Sequence, residues 1–199
     1  WKGKQKLMMV ECLKKEIEAC TLCLPHLAHG VRPVVQLSKR AKIAIAGQAP
    51  GRVVHETGVP FNDQSGDRLR EWLGVDRDQF YNPDLFAIVP MGFCFPGSGK
   101  SGDLPPRPEC RATWHDRIFQ EMDQLELIIV IGAYAIDYHL GGRAYKTLTD
   151  TVKNWREFEP RHMVLPHPSP RNNIWLRRNP WFETDVLPSL RNRVHCLSS

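Results

Sequence analysis

The sequence predicts an α/β fold, a three-layer α/β/α sandwich around a central four-stranded parallel sheet. Two observations carry that reading: four apolar runs of strand length, and helical patterns in the intervals between them. Met9, Leu13 and Ile17 fall at i, i+4 and i+8, the stripe of an amphipathic first helix that carries the chain to Cys20. The four runs are Lys42 to Ala46, Leu85 to Val89, Leu127 to Ile131 and His162 to Leu165, and they read as buried parallel strands. Helical patterns lie around Gly66 to Leu73, Cys110 to Met122 and Ala133 to Leu140. No repeat or low-complexity stretch interrupts the 199 residues, so a single domain over 1–199 is expected. Sixteen prolines and fourteen glycines mark its turns and long ordered loops.

Composition narrows the function classes. With 42% hydrophobic and 25% charged residues the chain can bury one sizeable core, which excludes the disordered, collagenous and coiled-coil classes. The longest apolar stretch, Leu127 to Ile136, falls far below the roughly 20 residues of a membrane-spanning helix. Behind Trp1, Lys2, Gly3, Lys4, Gln5 and Lys6 the apolar run is too short for a secretory signal, so a cytoplasmic protein is expected. Basic residues exceed acidic ones by 27 to 22, and arginine outnumbers lysine seventeen to ten. Arginine's planar fork suits bidentate phosphate contacts, which points toward a polyanionic partner, with simple solubility as the alternative.

In an open parallel sheet, ligands bind beyond the carboxyl ends of the strands. Here those ends read Gly47-Gln48-Ala49-Pro50-Gly51, Pro90-Met91-Gly92-Phe93-Cys94, Gly132-Ala133-Tyr134 and Pro166-His167-Pro168-Ser169-Pro170, so fold and chemistry point to one edge. The first loop offers backbone N–H groups to an anion or carbonyl, or is a tight turn. No Lys-Ser or Lys-Thr follows at Walker spacing and no G-x-G-x-x-G follows a strand, which sets aside nucleoside triphosphates and dinucleotides. Gly58-Val59-Pro60-Phe61 puts an aromatic ring at the same edge, for stacking on a planar ligand or for core packing. His167 is carried on backbone stiffened by the prolines around Ser169, which suits a hydrogen bond to a developing oxyanion or general acid–base work. A Ser–His hydrolase is disfavoured, because Ser169 is trapped between prolines and no G-x-S-x-G elbow occurs. Ile174, Trp175, Arg177, Arg178 and Trp181 mix aromatic and basic residues as nucleic-acid surfaces do, and as solvated helix faces do.

Six cysteines without a secretory signal favour metal or redox chemistry over a disulfide framework. Cys20 and Cys23 form a C-x2-C, and Cys94 and Cys110 flank a Pro/Gly-rich loop. Four such thiolates suit one iron–sulfur cluster or one zinc ion, and the spacing leaves both open. A thioredoxin-like pair is set aside because this C-x2-C precedes the first strand. His26 and His29 read as ligands or, as is commoner, exposed loop residues, and Cys12 and Cys196 lie outside the pattern.

Taken in order, these residues resemble the uracil-DNA glycosylase superfamily, most closely its iron–sulfur branch, family 4, over nearly the whole chain. Gly47-Gln48-Ala49-Pro50-Gly51 resembles the first family motif, and Gly58-Val59-Pro60-Phe61 the glycine, proline and stacking phenylalanine after it. His167-Pro168-Ser169-Pro170 resembles the second motif, in the spelling of the classical and single-strand-selective branches. Cys20, Cys23, Cys94 and Cys110 resemble that branch's ligation of a 4Fe-4S cluster. The resemblance implies a monomeric, monofunctional hydrolase of base-excision repair that releases uracil, or another deaminated or modified base, from single- or double-stranded DNA. In that scheme the flipped base stacks on Phe61 within a site formed by Gly47, Ala49, Pro50, Gly51 and Pro90. Gln48 lies near the base or the attacking water, and His167 hydrogen-bonds O2 of the departing base. Ser169, Pro170, Arg171 and Asn172 contact DNA, with Arg171 as wedge or strand contact and Asn172 or Asn173 holding it.

Some positions depart from the family pattern. Gln48 stands where the iron–sulfur branch carries glutamate, and His55 where it carries an acidic residue, with Glu56 out of register. Ala49 occupies the place of the classical branch's aspartate, so water activation has no assigned residue. Pro90 replaces the uracil-reading asparagine and brings neither a side-chain amide nor a backbone donor. These departures imply an altered substrate range, or a DNA-binding, damage-sensing protein without the chemistry.

Overall fold

The computed structural model describes residues 2–198, with side chains from Met9 to Ser198. Trp1 and the side chains of residues 2–8, which carry the basic run read from the sequence, lie outside the described residues. Helix α1 (Lys2–Glu18) is followed by a short turn at Leu24–His26 and then β1 (Ile43–Ala46). Helices α2 (Arg52–Thr57), α3 (Gln64–Leu73) and α4 (Arg77–Phe80) lead to β2 (Phe86–Ile88). A small hairpin of β3 (Ser98–Gly99) and β4 (Gly102–Asp103) precedes α5 (Pro108–Glu121) and β5 (Leu127–Ile131). Then come α6 (Gly132–Leu140), α7 (Leu148–Lys153) and β6 (His162–Leu165). The chain closes with α8 (Asn173–Arg178), a π turn at Phe182–Val186 and α9 (Leu187–Ser198).

The central sheet runs β2-β1-β5-β6 with every pairing parallel. All its strand residues are buried, as a parallel sheet covered on both faces requires. The third and fourth strands keep the bounds read from the sequence. The first two are shorter, although Lys42, Leu85 and Val89 still bond at the ladder ends, with Ile43 N–H donating to Leu85 and Val89 N–H to Ile45. The free edge of β2 is covered by Gln36, whose backbone exchanges two hydrogen bonds with Ile88 while its amide donates to the Phe80 and Phe86 carbonyls.

The helices flank this sheet, α1 against α5 and α3 against α9. The apolar stripe of α1 differs from the i, i+4, i+8 reading by one residue. Val10, Leu13 and Ile17 are buried while Met9 is half exposed, because i, i+3, i+7 holds one face of a 3.6-residue helix more closely. Trp175 and Trp181 of the mixed aromatic and basic stretch pack inward edge to face, leaving Arg177 and Arg178 exposed. The two rings are half-buried against the core, and Ile174 is exposed beside the arginines.

Between α5, α6 and β6 lie His115, His139 and His162, with Tyr138 and Phe119 packed among them. Burial pushes their pKa values down, to about 4 for His115, about 3 for His139 and about 4 for His162. The unfolded chain takes up these protons near the ordinary imidazole value of about 6.5, whereas the folded chain resists them until far lower pH. The stability they contribute is therefore present above that value and lost as pH falls toward 3. Urea midpoints should drop between pH 7 and pH 4, and His139→Phe, which keeps a ring against Phe119 and Tyr138, should flatten the decline.

Candidate active site

At the carboxyl ends of β1, β2 and β6 the chain encloses a cavity of about 410 Å³. Gly47, Gln48, Ala49, Pro50, Gly51, Phe61, Pro90, His167, Ser169, Arg171 and Asn172 all line it. Pro170, the exposed first residue of the turn Pro170–Asn172, lies just outside, and the Gly132-Ala133-Tyr134 end of β5 takes no part. The hairpin of β3 and β4 adds Ser101, Gly102 and Asp103, and the segment after Phe61 adds Asp63 and Ser65.

The loop after β1 is held from two sides. The carbonyls of Gly47 and Gln48 accept the N–H groups of Met91 and Gly92 at 2.9 and 3.0 Å, tying this loop to the one that follows β2. The Gln48 amide donates to the Leu104 carbonyl at 3.1 Å, which ties it to the hairpin. Pro90 contributes its carbonyl to a buried bond from His115 Nε2 at 3.0 Å, so that carbonyl faces α5. His55 stands on α2 beside His29 and Phe95, away from the cavity lining.

Phe61 is positioned by strain that the surrounding residues hold. Its φ of 52° is in the left-handed region, which costs a residue with a Cβ about 1 to 3 kcal/mol. Gly66 makes the conformation possible, because a Cβ there would overlap the Phe61 carbonyl. The buried Arg70 guanidinium donates to that carbonyl at 3.2 Å, pairs with Asp67 at 2.7 Å and lies over the Phe80 ring. Tyr81 fixes the preceding residue through its hydroxyl, which donates to the Pro60 carbonyl at 2.8 Å. The Phe61 ring meets Phe80 edge to face and passes close to Gly47, where a β-carbon would sit 3.6 Å from its Cζ. Two residues on, Asp63 caps α3 by accepting the Gly66 N–H at 2.9 Å.

His167 is held at both ends. Asn172 donates to its carbonyl at 2.7 Å, so this amide is spent on the histidine rather than on Arg171. The Ser169 N–H donates to His167 Nδ1 at 3.2 Å, which assigns the ring proton to Nε2. Burial lowers the imidazole pKa below its ordinary value; Asp63 and Asp103 raise it and Arg171 lowers it. The ring is neutral at pH 7, with one N–H left to donate. Arg171 crosses from this loop to the hairpin and donates to the Ser101 carbonyl at 3.3 Å. Gly102, at φ 142°, leaves room for that guanidinium, which a side chain there would displace. Arg68 donates to the Ser169 carbonyl at 3.2 Å.

Behind the loop after β2, Cys20, Cys23, Cys94 and Cys110 line one small pocket with Leu27, Gly92, Arg107 and Trp114. Burial pushes the Cys94 thiol up to about 11 and the Cys110 thiol to about 12, and raises Cys23 as well. The Phe93 N–H points at Cys110 Sγ, 3.3 Å away. Among the described residues no set of three or more acidic, histidine or cysteine side chains is gathered closely enough to hold a metal ion as it stands. Cys12 and Cys196 are exposed, as are His26 and His29.

Asp63, Asp103, Gly66, Arg70 and His115 were not singled out from the sequence. Asp63 carried a signal, an N-cap residue directly before a helical pattern. Asp103 and His115 depend on contacts between segments far apart in the chain, and Gly66 and Arg70 on the path that the backbone takes at Phe61. The profile of the Uracil DNA glycosylase superfamily matches residues 34–191, a span that takes in the whole cavity lining. A Type-4 uracil-DNA glycosylase of Thermotoga maritima is 24% identical over 168 residues, covering 81% of this chain and 82% of that protein. Gly66→Ala should lower stability by about 3 kcal/mol or more, since the clash is with backbone and no rotamer relieves it. Thermal melting checks this, and Ala at neighbouring Ser65 serves as the control.

Proposed function

The chain belongs to the uracil-DNA glycosylase superfamily, and from that membership we propose that it hydrolyses the N-glycosidic bond of uracil, or of another deaminated or modified base, in DNA. The observation that carries this reading is His167, a neutral imidazole with Nδ1 already bonded and Nε2–H available, in the same cavity as Phe61. A base inside a duplex is out of reach, so it must leave the stack at a cost of a few kcal/mol. The flipped ring then stacks on Phe61, whose strained backbone presents it without further reorganisation. As the C1′–N1 bond lengthens, negative charge collects on the base, and His167 donates to its O2. A donor placed where charge develops is worth about a hundredfold to a thousandfold in rate. A cationic imidazole would also transfer its proton, whereas burial holds this one neutral and confines it to hydrogen bonding.

The reaction is read as monofunctional, as the resemblance to the family implies. Pro90 offers the base no amide, which favours a substrate range wider than uracil alone. Arg171 and Ser169 are read as DNA contacts, with a monomer acting on single or double strands.

The resemblance to the iron–sulfur branch implies a 4Fe-4S cluster, and the donors suit one in kind: four soft thiols from three distant segments line one small pocket, and they would have to draw closer together to bind it. Cys20, Cys23, Cys94 and Cys110 would hold it, and when bound it supplies a cross-link between the end of α1, the loop after β2 and the start of α5. Cys94→Ala should then lose bound iron and melt several degrees lower. Iron content and melting temperature, measured together, check this.

Alkali-revealed cleavage of oligonucleotides carrying a single uracil, hypoxanthine, xanthine or modified pyrimidine tests the main reading. Base release should fall about a hundredfold or more in His167→Ala, with DNA binding retained. Absence of release by a wild type that still binds these strands would instead establish a binding or sensing role.

A further inference from the structure

The first motif brings no carboxylate, yet two carboxylates stand in the cavity. Asp63 and Asp103 both line it, and their Oδ2 atoms lie 4.0 and 3.6 Å from the position that a β-carbon on Gly51 would take. They therefore converge on the loop after β1 from opposite parts of the chain, the start of α3 and the hairpin. Both act electrostatically on His167, Asp63 the more strongly.

The two are held differently. Asp103 sits exposed on the hairpin, with Oδ1 accepting the Ser98 hydroxyl at 3.1 Å. Asp63 is half-buried, and its Oδ1 is locked by the Gly66 N–H at the first turn of a helix packed into the core. That bond leaves Oδ2 as the oxygen turned toward Gly51. Asp63 also follows Phe61 by two residues, on the backbone that Arg70 and Gly66 hold, so ring and carboxylate are placed as one unit.

We propose that Asp63 is the catalytic carboxylate for water, taking the place of the acidic residues that the first motif lacks at Gln48 and Ala49. This rests on the base-excision reading above. In the step itself the C1′–N1 bond breaks and its electron pair leaves with the base, whose O2 is bonded to His167. Positive charge grows on the sugar ring, facing the Asp63 carboxylate. The water oxygen bonds to C1′, and its proton passes to Asp63 Oδ2 and on to solvent. The base anion takes a proton from solvent, so the products are free base and an abasic deoxyribose. Asp103 adds negative charge to the same wall without contacting the water.

Asp63→Asn separates this role from helix capping, since asparagine caps as well as aspartate but carries no charge. The expected result is a loss of about a hundredfold or more in kcat, with KM and melting temperature close to wild type. Asp103→Asn should lose less than about tenfold. Equal kcat in wild type and Asp63→Asn, or a larger loss in Asp103→Asn, overturns the assignment while leaving base excision intact. A second measurement does not depend on turnover. Oligonucleotides carrying a cationic pyrrolidine abasic analogue should bind wild type at least about tenfold more tightly than those with neutral tetrahydrofuran, and Asp63→Asn should abolish that preference. A wild type without the preference, or an Asp63→Asn that keeps it, overturns the proposal. A wild type that releases no base, yet shows the Asp63-dependent preference, overturns the base-excision reading and with it the catalytic role, leaving Asp63 only as the charge that faces the sugar of bound DNA.

Discussion

The hydrogen-bond ladder of β1 is the interaction on which the rest of this molecule depends. Four residues, Ile43–Ala46, bond to β2 on one side and β5 on the other, and every one of them is buried. Because the flanking strands are parallel to it, their carboxyl ends emerge together, and the ends of β1 and β2 are tied by the Met91 and Gly92 N–H bonds to Gly47 and Gln48. A cavity at that edge is a consequence of chain direction, since each strand must release its next loop there. The functional residues need only be short polar additions to a scaffold that already faces one way.

Rigidity at this edge comes from buried polar contacts that would be costly to leave unmade. Arg70, nearly inaccessible to solvent, donates to the Phe61 carbonyl and is paired with Asp67. His115, fully buried on α5, donates to the Pro90 carbonyl at the floor of the cavity, while Cys110 sits one and a half turns earlier on the same helix. The cysteine pocket and the cavity at the strand ends are thus two sides of one loop, Pro90 to Cys94. A cluster that organised the cysteines would fix the helix, the helix would fix His115, and His115 would fix the backbone at Pro90.

How much of this was legible in the sequence follows from the range of the interactions concerned. The strands were legible because a parallel sheet buried on both faces writes itself as apolar runs, and two of the four were bounded correctly. The motif loops were legible because glycine, proline and histidine at strand ends have few other uses. Short helices such as α2 and α4, and the hairpin of β3 and β4, were not: they bury few residues and carry no period long enough to read. Met9 was misplaced on the α1 stripe because i, i+4, i+8 and i, i+3, i+7 each keep to one face of a helix. Gly66 looked like an ordinary helical glycine, and only the approach of the Phe61 carbonyl reveals why no larger residue can stand there.

The same reasoning explains how the site can lack its motif carboxylate. A carboxylate serves wherever a held oxygen reaches the water, and in a fold whose loops meet at one edge several chain positions satisfy that condition. The helix start two residues after Phe61 is favoured physically, because a helix N-terminus stabilises negative charge and supplies an N–H to orient one oxygen. Placing the acid there removes it from the first loop, where Gln48 is free to bond the hairpin instead. That bond and the Arg171 bond to Ser101 join the hairpin to both motif loops. With glutamine at position 48, the negative charge at this edge comes from Asp63 and Asp103, and the Gln48 bond to Leu104 holds the hairpin in place as a third wall of the cavity.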